Sequence, residues 1–202
     1  MARSLTDSQV ARFRDQGYLC VEAVLDDADL APLWNEYDAL LDKVARRLHA
    51  HGEIPSIYSG LPFERRYPRI LADYPPLYRF LNISLPLLNE WADPSEWSMH
   101  TGPAVFDLLR HPKILDVVES IIGSEIYSNP VQHVRLKPPE SHVPISVSEY
   151  SNIGVTTWHQ DYVSLLDEVA DTQLLTVWLA VTDATEENGC LVCVAGSHRN
   201  GL

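Results

Sequence analysis

Apolar residues recur at helical spacing early in the chain and give way to extended, β-rich runs later. Over residues 26–48 the apolar positions are Leu30, Leu33, Trp34, Tyr37, Leu41, Val44 and Leu48. This 3.6-residue period, held for about five turns, predicts one long amphipathic helix. Asp26 or Asp27 can cap its start, while Glu36, Asp38, Lys43 and Arg47 form its solvated face. Upstream, Thr6 followed by Gln9 makes a capping-box pattern, Val10 and Phe13 give a short stripe, and Gly17 suits the position just past a first helix. Residues 18–24 (YLCVEAV) read as a strand.

Residues 49–76 hold Gly52, Pro55, Gly60, Pro62, Pro68, Pro75 and Pro76 and read as loop, although Ile54, Tyr58, Phe63, Tyr67 and Ile70 within it need burial. A helix is expected over residues 77–91, kinked at Pro86. Two short helices are expected over residues 103–123, with Pro112 opening the second and Gly123 ending it. After Gly123 the texture changes. Residues 127–136, 143–150, 155–158, 174–181 and 190–195 read as strands, and Lys137-Pro138-Pro139 and residues 183–189 as turns. Helices first and strands afterwards, with no βαβ alternation, predict a β core carrying a helical layer rather than a doubly wound sheet.

Composition bounds the partners. The 202 residues are 46% hydrophobic and 21% charged, enough for one sizeable core. A single domain over residues 1–202 is expected, with residues 1–123 as the mostly helical layer and 124–202 as the β core. The 15 Lys+Arg and 28 Asp+Glu give a net charge of −13, which argues against nucleic acid or an anionic membrane as the main partner. No uncharged apolar run approaches about eighteen residues, and the start lacks an apolar signal stretch, so no membrane span and a cytoplasmic location are expected. Three cysteines are too few for a disulfide scaffold. Cys190 and Cys193 diverge on a strand and read as small core thiols.

The candidate chemistry centres on His159 and Asp161. In an extended segment, positions i and i+2 point to one side, so an imidazole and a carboxylate so placed can reach one metal ion. A 2-His-1-carboxylate set holds Fe(II) while leaving coordination positions open. As a bare three-residue pattern this is weak, because a histidine near an acid is common on protein surfaces. The surrounding sequence makes it more specific. The motif lies in TTWHQDY (residues 156–162), followed by VWLAVTDATEENG (177–189) and AGSH (195–198), and residues 13–33 read FRDQGYLCVEAVLDDADLAPL. Together these resemble the phytanoyl-CoA dioxygenase family of Fe(II)- and 2-oxoglutarate-dependent oxygenases, with Ala195 where the family usually has proline.

The resemblance implies a mainly β fold with N-terminal α: a double-stranded β-helix (jelly roll, cupin-like) with packed outer helices. It implies Fe(II) held by His159 and Asp161, 2-oxoglutarate as co-substrate, and O₂ with a small organic or acyl molecule as the other reactants. Asp161, being a carboxylate, favours hydroxylation over halogenation. Lys137 lies where the family places an amine for 2-oxoglutarate; otherwise it is a solvated turn lysine. Trp178 shares a strand face with Thr176 and Ala180, and either walls the co-substrate site or packs in the core. Gln160 points away from its neighbours and has a structural role. The family's later histidine ligand and its 2-oxoglutarate arginine have no match here. His198, 37 positions beyond Asp161, aligns instead with the family's turn histidine and is expected to bond locally, with Arg199 in the same turn. A jelly roll has about eight strands, more than follow Gly123, so the chain is expected to stop before that fold ends. A non-catalytic jelly-roll binding protein, an inactive fragment, or a cupin-like hydrolase or isomerase using another divalent metal are the alternatives. Substrate selectivity is expected in residues 49–76 and 139–156.

Overall fold

The computed structural model describes residues 4–85, 100–138, 156–161 and 173–201. In chain order the elements are α1 (Asp7–Gln16), α2 (Asp27–Ala50), α3 (Phe63–Asp73), α4 (Tyr78–Leu81), β1 (Ile83–Leu85), α5 (Pro103–Leu109), α6 (Pro112–Ile122) and β2 (Gln132–Val134). Single 3-10 turns occur at Pro75–Leu77, Glu186–Asn188 and Ser197–Asn200.

The helices follow their local signals closely. Thr6 N–H donates to Gln9 Oε1 at 2.9 Å, and Gln9 N–H donates back to Thr6 Oγ1 at 3.3 Å, closing the capping box of α1. Gly17 ends that helix at φ 81°, its N–H donating to Phe13 O at 2.8 Å. Asp26 and Asp29 cap α2 in the same reciprocal way, and α2 buries Leu33, Tyr37, Leu41, Val44, Ala45 and Leu48. The stripe read from the sequence is therefore the buried face. Leu41 meets Ile70, Leu71, Leu77 and Leu81 in a fully buried helical core.

Residues 63–73 correct the loop expectation. Phe63, Tyr67, Ile70 and Leu71 fall at i, i+4, i+7 and i+8, one helical stripe that the proline density obscures. Pro62 precedes the helix with an extended backbone, and Pro68 sits inside it at the loss of one backbone hydrogen bond. Arg66 on α3 is buried and satisfied. Its Nε donates to Ile57 O at 3.0 Å, and its Nη2 donates to Asp42 Oδ1 of α2 at 2.8 Å. Glu36 of α2 accepts from Ala104 N–H at 2.9 Å and pairs with His100 Nε2 at 2.8 Å, which fastens α5. Lys113 of α6 bonds Asp26 at 2.9 Å and also Asp29, which fastens α6 to the start of α2.

The expected jelly roll is overturned. The described residues are predominantly helical, and their strand pairing is one antiparallel ladder in which Ile83 faces Val134, Ser84 faces His133 and Leu85 faces Gln132. Residues 18–24 form irregular turns, with Ala23 at φ 52°. Residues 174–181 and 190–195 carry no ladder, and Val177, Trp178, Leu191, Val192 and Val194 are exposed. β-branched and aromatic residues favour strands chiefly through neighbouring strands and the surface they cover. Among the described residues no such neighbour reaches these runs. The cysteines are free, with Cys20 and Cys193 exposed and Cys190 partly so, which corrects the core-thiol expectation. The expected strand 143–150, the helix beyond Leu85 and residues 139–155 lie outside the described residues.

Candidate functional site

The helical layer sets the position of the segment that follows β2. Asn82, buried just after α4, accepts the Leu136 N–H on its Oδ1 at 3.1 Å. The Tyr67 hydroxyl of α3 donates to Leu136 O at 3.4 Å. Val134 and Leu136 pack against the helical core. Alternation along an extended chain then sends His133, Arg135 and Lys137 to the opposite side.

Of these three, His133 senses the Asp161 carboxylate of the motif. Burial holds the His133 imidazole below its ordinary range, the Arg135 charge adds to this, and the Asp161 carboxylate opposes it. Burial also lowers the Arg135 guanidinium and, together with the Arg135 charge, the Lys137 amine. The Lys137 side chain runs beside the turn at Gly189, where an added Cβ would lie 3.9 Å from Lys137 Cδ.

Within the motif, His159 Nδ1 lies 2.7 Å from Thr157 O. A carbonyl only accepts, so this nitrogen carries the proton and donates it. His159 Nε2 then faces Asp161 Oδ1 at 3.2 Å. The other carboxylate oxygen, Asp161 Oδ2, accepts from Thr176 Oγ1 at 2.6 Å. Gln160 turns away and donates from Nε2 to Gly201 O at 2.8 Å, as its extended geometry predicts. The His159 and Asp161 side chains are about half exposed, at 51% and 47%.

These donors fit a divalent cation as far as they go. Nitrogen and oxygen ligands each about 2.1 Å from one ion, at right angles, lie about 3 Å apart, close to the observed separation. Among the described residues, however, no group of three His, Cys, Asp or Glu side chains is placed to hold a metal ion. His198 is committed elsewhere. Its Nε2 meets Arg14 O at 3.2 Å, Arg199 pairs with Asp15, and Gly196 N–H donates to Gln16 O at 2.8 Å. The AGSH turn is thus a clamp on the end of α1, and the His198 side chain bonds at long range rather than locally, while Ser197 N–H bonds Val194 O within the turn at 3.2 Å. The His198 ring also occupies the space a Cβ on Gly17 would need.

The structure therefore brings His159, Asp161 and Thr176 into direct contact and places His133 within their electrostatic reach. Lys137 lies on the same polar side of the β2 segment, and Trp178, two residues beyond Thr176, is 48% exposed. Sequence reasoning missed Thr176 as a partner of Asp161, although it shares a strand face with Trp178. It also missed Arg135, whose only signal is its two-residue spacing from Lys137. A separate cleft of about 430 Å³, lined by Trp34, Asp38, Phe63, Glu64 and Arg66 among others, shares no residue with this set. Among the described residues, no helix is long and apolar enough to cross a membrane.

Comparison with known proteins agrees with the family resemblance. The family model described as Phytanoyl-CoA dioxygenase (PhyH) matches residues 13–202. "Phytanoyl-CoA dioxygenase domain-containing protein 1" of Danio rerio is 25% identical over 203 residues, covering 98% of this chain and 67% of that protein. "Probable phytanoyl-CoA dioxygenase" of Caenorhabditis elegans is 30% identical over 102 residues, covering 50% of this chain and 30% of that protein. No solved structure matches the chain. The match to residues 13–202, which takes in the His159–Asp161 motif and the AGSH clamp, shows that the chain belongs to the phytanoyl-CoA dioxygenase (PhyH) family.

Proposed function

We propose that the chain acts as an Fe(II)- and 2-oxoglutarate-dependent dioxygenase that hydroxylates a small organic or acyl substrate. The observation that carries this reading is the His159 Nε2 to Asp161 Oδ1 separation of 3.2 Å, with Nδ1 of the same ring already bonded to Thr157 O. When bound, Fe(II) supplies activation of O₂ coupled to oxidation of 2-oxoglutarate to succinate and CO₂. The chain's residues prepare for this. Thr157 O keeps the proton on His159 Nδ1 and leaves the Nε2 lone pair available to a metal. The Thr176 hydroxyl occupies Asp161 Oδ2 and leaves Oδ1 turned toward His159. The Lys137 amine offers a cation to a carboxylate of 2-oxoglutarate, and Trp178 walls the co-substrate on the Thr176 side. The family match and both relatives support the same chemistry.

The test is direct. Loaded with Fe(II) and 2-oxoglutarate without oxygen, the 202-residue chain should develop the visible charge-transfer band of a chelated 2-oxo acid. Oxygen should then release succinate. His159→Ala and Asp161→Ala should each abolish both signals. A wild-type chain that gives neither band nor succinate sinks the reading.

A further inference from the structure

Residues 156–161 are exposed and pair with no strand among the described residues, yet they carry the His159–Asp161 pair. Two side chains that must meet one ion from such a segment need its orientation fixed by neighbours. On one face Asp161 Oδ2 takes the Thr176 hydroxyl at 2.6 Å. On the other, Gln160 Nε2 donates to Gly201 O at 2.8 Å. Gln160 lies between the two candidate ligands, and successive side chains of an extended segment point to opposite sides. Fixing the Gln160 side chain therefore fixes the roll of the segment, and with it the direction in which His159 and Asp161 project.

Gly201 closes the turn that grips α1. Gly196 N–H donates to Gln16 O at 2.8 Å, His198 Nε2 donates to Arg14 O at 3.2 Å, and Arg199 pairs with Asp15. The His198 ring stands where a Cβ on Gly17 would lie, so ring and helix end are in close contact. α1 buries none of its own residues. It is nonetheless capped at both ends, and just before it Leu5 N–H donates to Ser120 Oγ of α6 at 3.0 Å. A helix that adds no buried residue to the core, yet is fastened to α6 at one end and to this turn at the other, serves as a spacer of defined length.

We propose that Gln160 and His198 are positioning residues for the His159–Asp161 pair, which they hold from the end of α1 through the turn at residues 196–201. What the pair binds rests on the dioxygenase reading; how it is held does not. His198 thereby serves the pair from outside the ligand set.

Two measurements on the whole chain test this: NMR order parameters of the residue 159–161 amides without metal, and calorimetric titration with Fe(II) alone under argon. Gln160→Met keeps the side-chain length and removes the donor. It should lower the order parameters toward the mobile range, below about 0.6, and weaken Fe(II) binding about two- to thirtyfold. The thermal midpoint should hold, because Gln160 is exposed and water replaces its bond. His198→Phe should lower order and affinity in the same direction, and His198→Gln, which can still donate to Arg14 O, should stay near wild type. The double variant Gln160→Met/His198→Phe should be no weaker than Gln160→Met alone, since both break one line of contacts. Gly17→Ala should reproduce His198→Phe, and Gly52→Ala should not: their φ values are 81° and 73°, but a Cβ on Gly52 meets nothing within 4 Å. Order and affinity unchanged in Gln160→Met would overturn the proposal. So would fully additive losses in the double variant, or a midpoint that falls in step with affinity. If the variants lose order while wild type binds no Fe(II) or gives no charge-transfer band with 2-oxoglutarate, the dioxygenase reading fails and the positioning stands. If the band forms and Gln160→Met matches wild type in both measurements, the positioning fails and the dioxygenase reading stands.

Discussion

Asp161 uses its two oxygens differently. Oδ2 takes the Thr176 hydroxyl at 2.6 Å, and Oδ1 faces His159 Nε2 at 3.2 Å. A carboxylate free to rotate would exchange these oxygens and spend much of its time turned away from the imidazole. Thr176 is thus a positioning residue, and Thr176→Val isolates its hydroxyl while nearly keeping its shape. The side chain of Asp161 is half exposed, so water replaces the lost hydrogen bond and the folding cost is small. Metal affinity is the sensitive readout, since partners behind a ligand typically contribute about 10–100-fold. Fe(II) titration of Thr176→Val should show a loss in that range, with Thr176→Ser close to wild type. Equal affinity in all three proteins would leave the hydroxyl without this role.

The helices are joined largely by ionised carboxylates. Lys113 holds the Asp26 and Asp29 carboxyls below their ordinary range, with each acid's bond to the other's backbone N–H adding to the effect. Asp42 is lowered by Arg46 first and by Arg66 second. A carboxyl that is more acidic in the folded chain contributes stability above its unfolded pKa, and that contribution is lost as pH falls through the folded value. The thermal midpoint should therefore fall steadily as pH drops below about 4. Lys113→Ala should flatten part of that slope, because it removes the partner that depresses two acids. A slope identical to wild type would place the acid sensitivity elsewhere. The contacts of Lys113 were not legible in the sequence, whereas the helices they join were. Leu33 to Leu48 repeats the helical period long enough to outvote any local breaker, Thr6 and Asp26 mark helix starts through bonds made within a few residues, and Pro112 marks one through its fixed φ at the first helical position. Residues 63–73 escaped because Pro62 and Pro68 imitate loop composition while the stripe of Phe63, Tyr67 and Ile70 continues beneath. The β-rich runs misled for the opposite reason. Val177 and Val192 favour strands locally, but a strand exists only with a neighbour that local sequence does not name. The site divides in the same way. His159 and Asp161 are two residues apart and readable from spacing, while Thr176 reaches Asp161 across fifteen positions and is visible only in the fold.

Across the whole molecule, the helical layer is the platform on which the polar side of residues 133–137 is mounted. The attachment is narrow. Leu136 is held by Asn82 Oδ1 at 3.1 Å and by the Tyr67 hydroxyl at 3.4 Å, with the β1–β2 ladder just upstream. Asn82 is 4% exposed, so deleting its amide leaves the Leu136 N–H without its partner in a setting where water cannot easily replace it. Asn82→Ala should destabilise the chain by about 1–3 kcal/mol. The 3.4 Å bond from Tyr67 is longer than a strong hydroxyl hydrogen bond, so Tyr67→Phe should cost less. The two changes also separate the platform from the proposed metal site. Residues 159 and 161 make their own contacts with Thr157 and Thr176, and neither contact passes through Asn82. Asn82→Ala should therefore speed hydrogen exchange at the Leu136 amide, while Fe(II) affinity stays near wild type. Fe(II) affinity that falls in parallel with the faster exchange would mean that the platform carries the entire site, and not only residues 133–137.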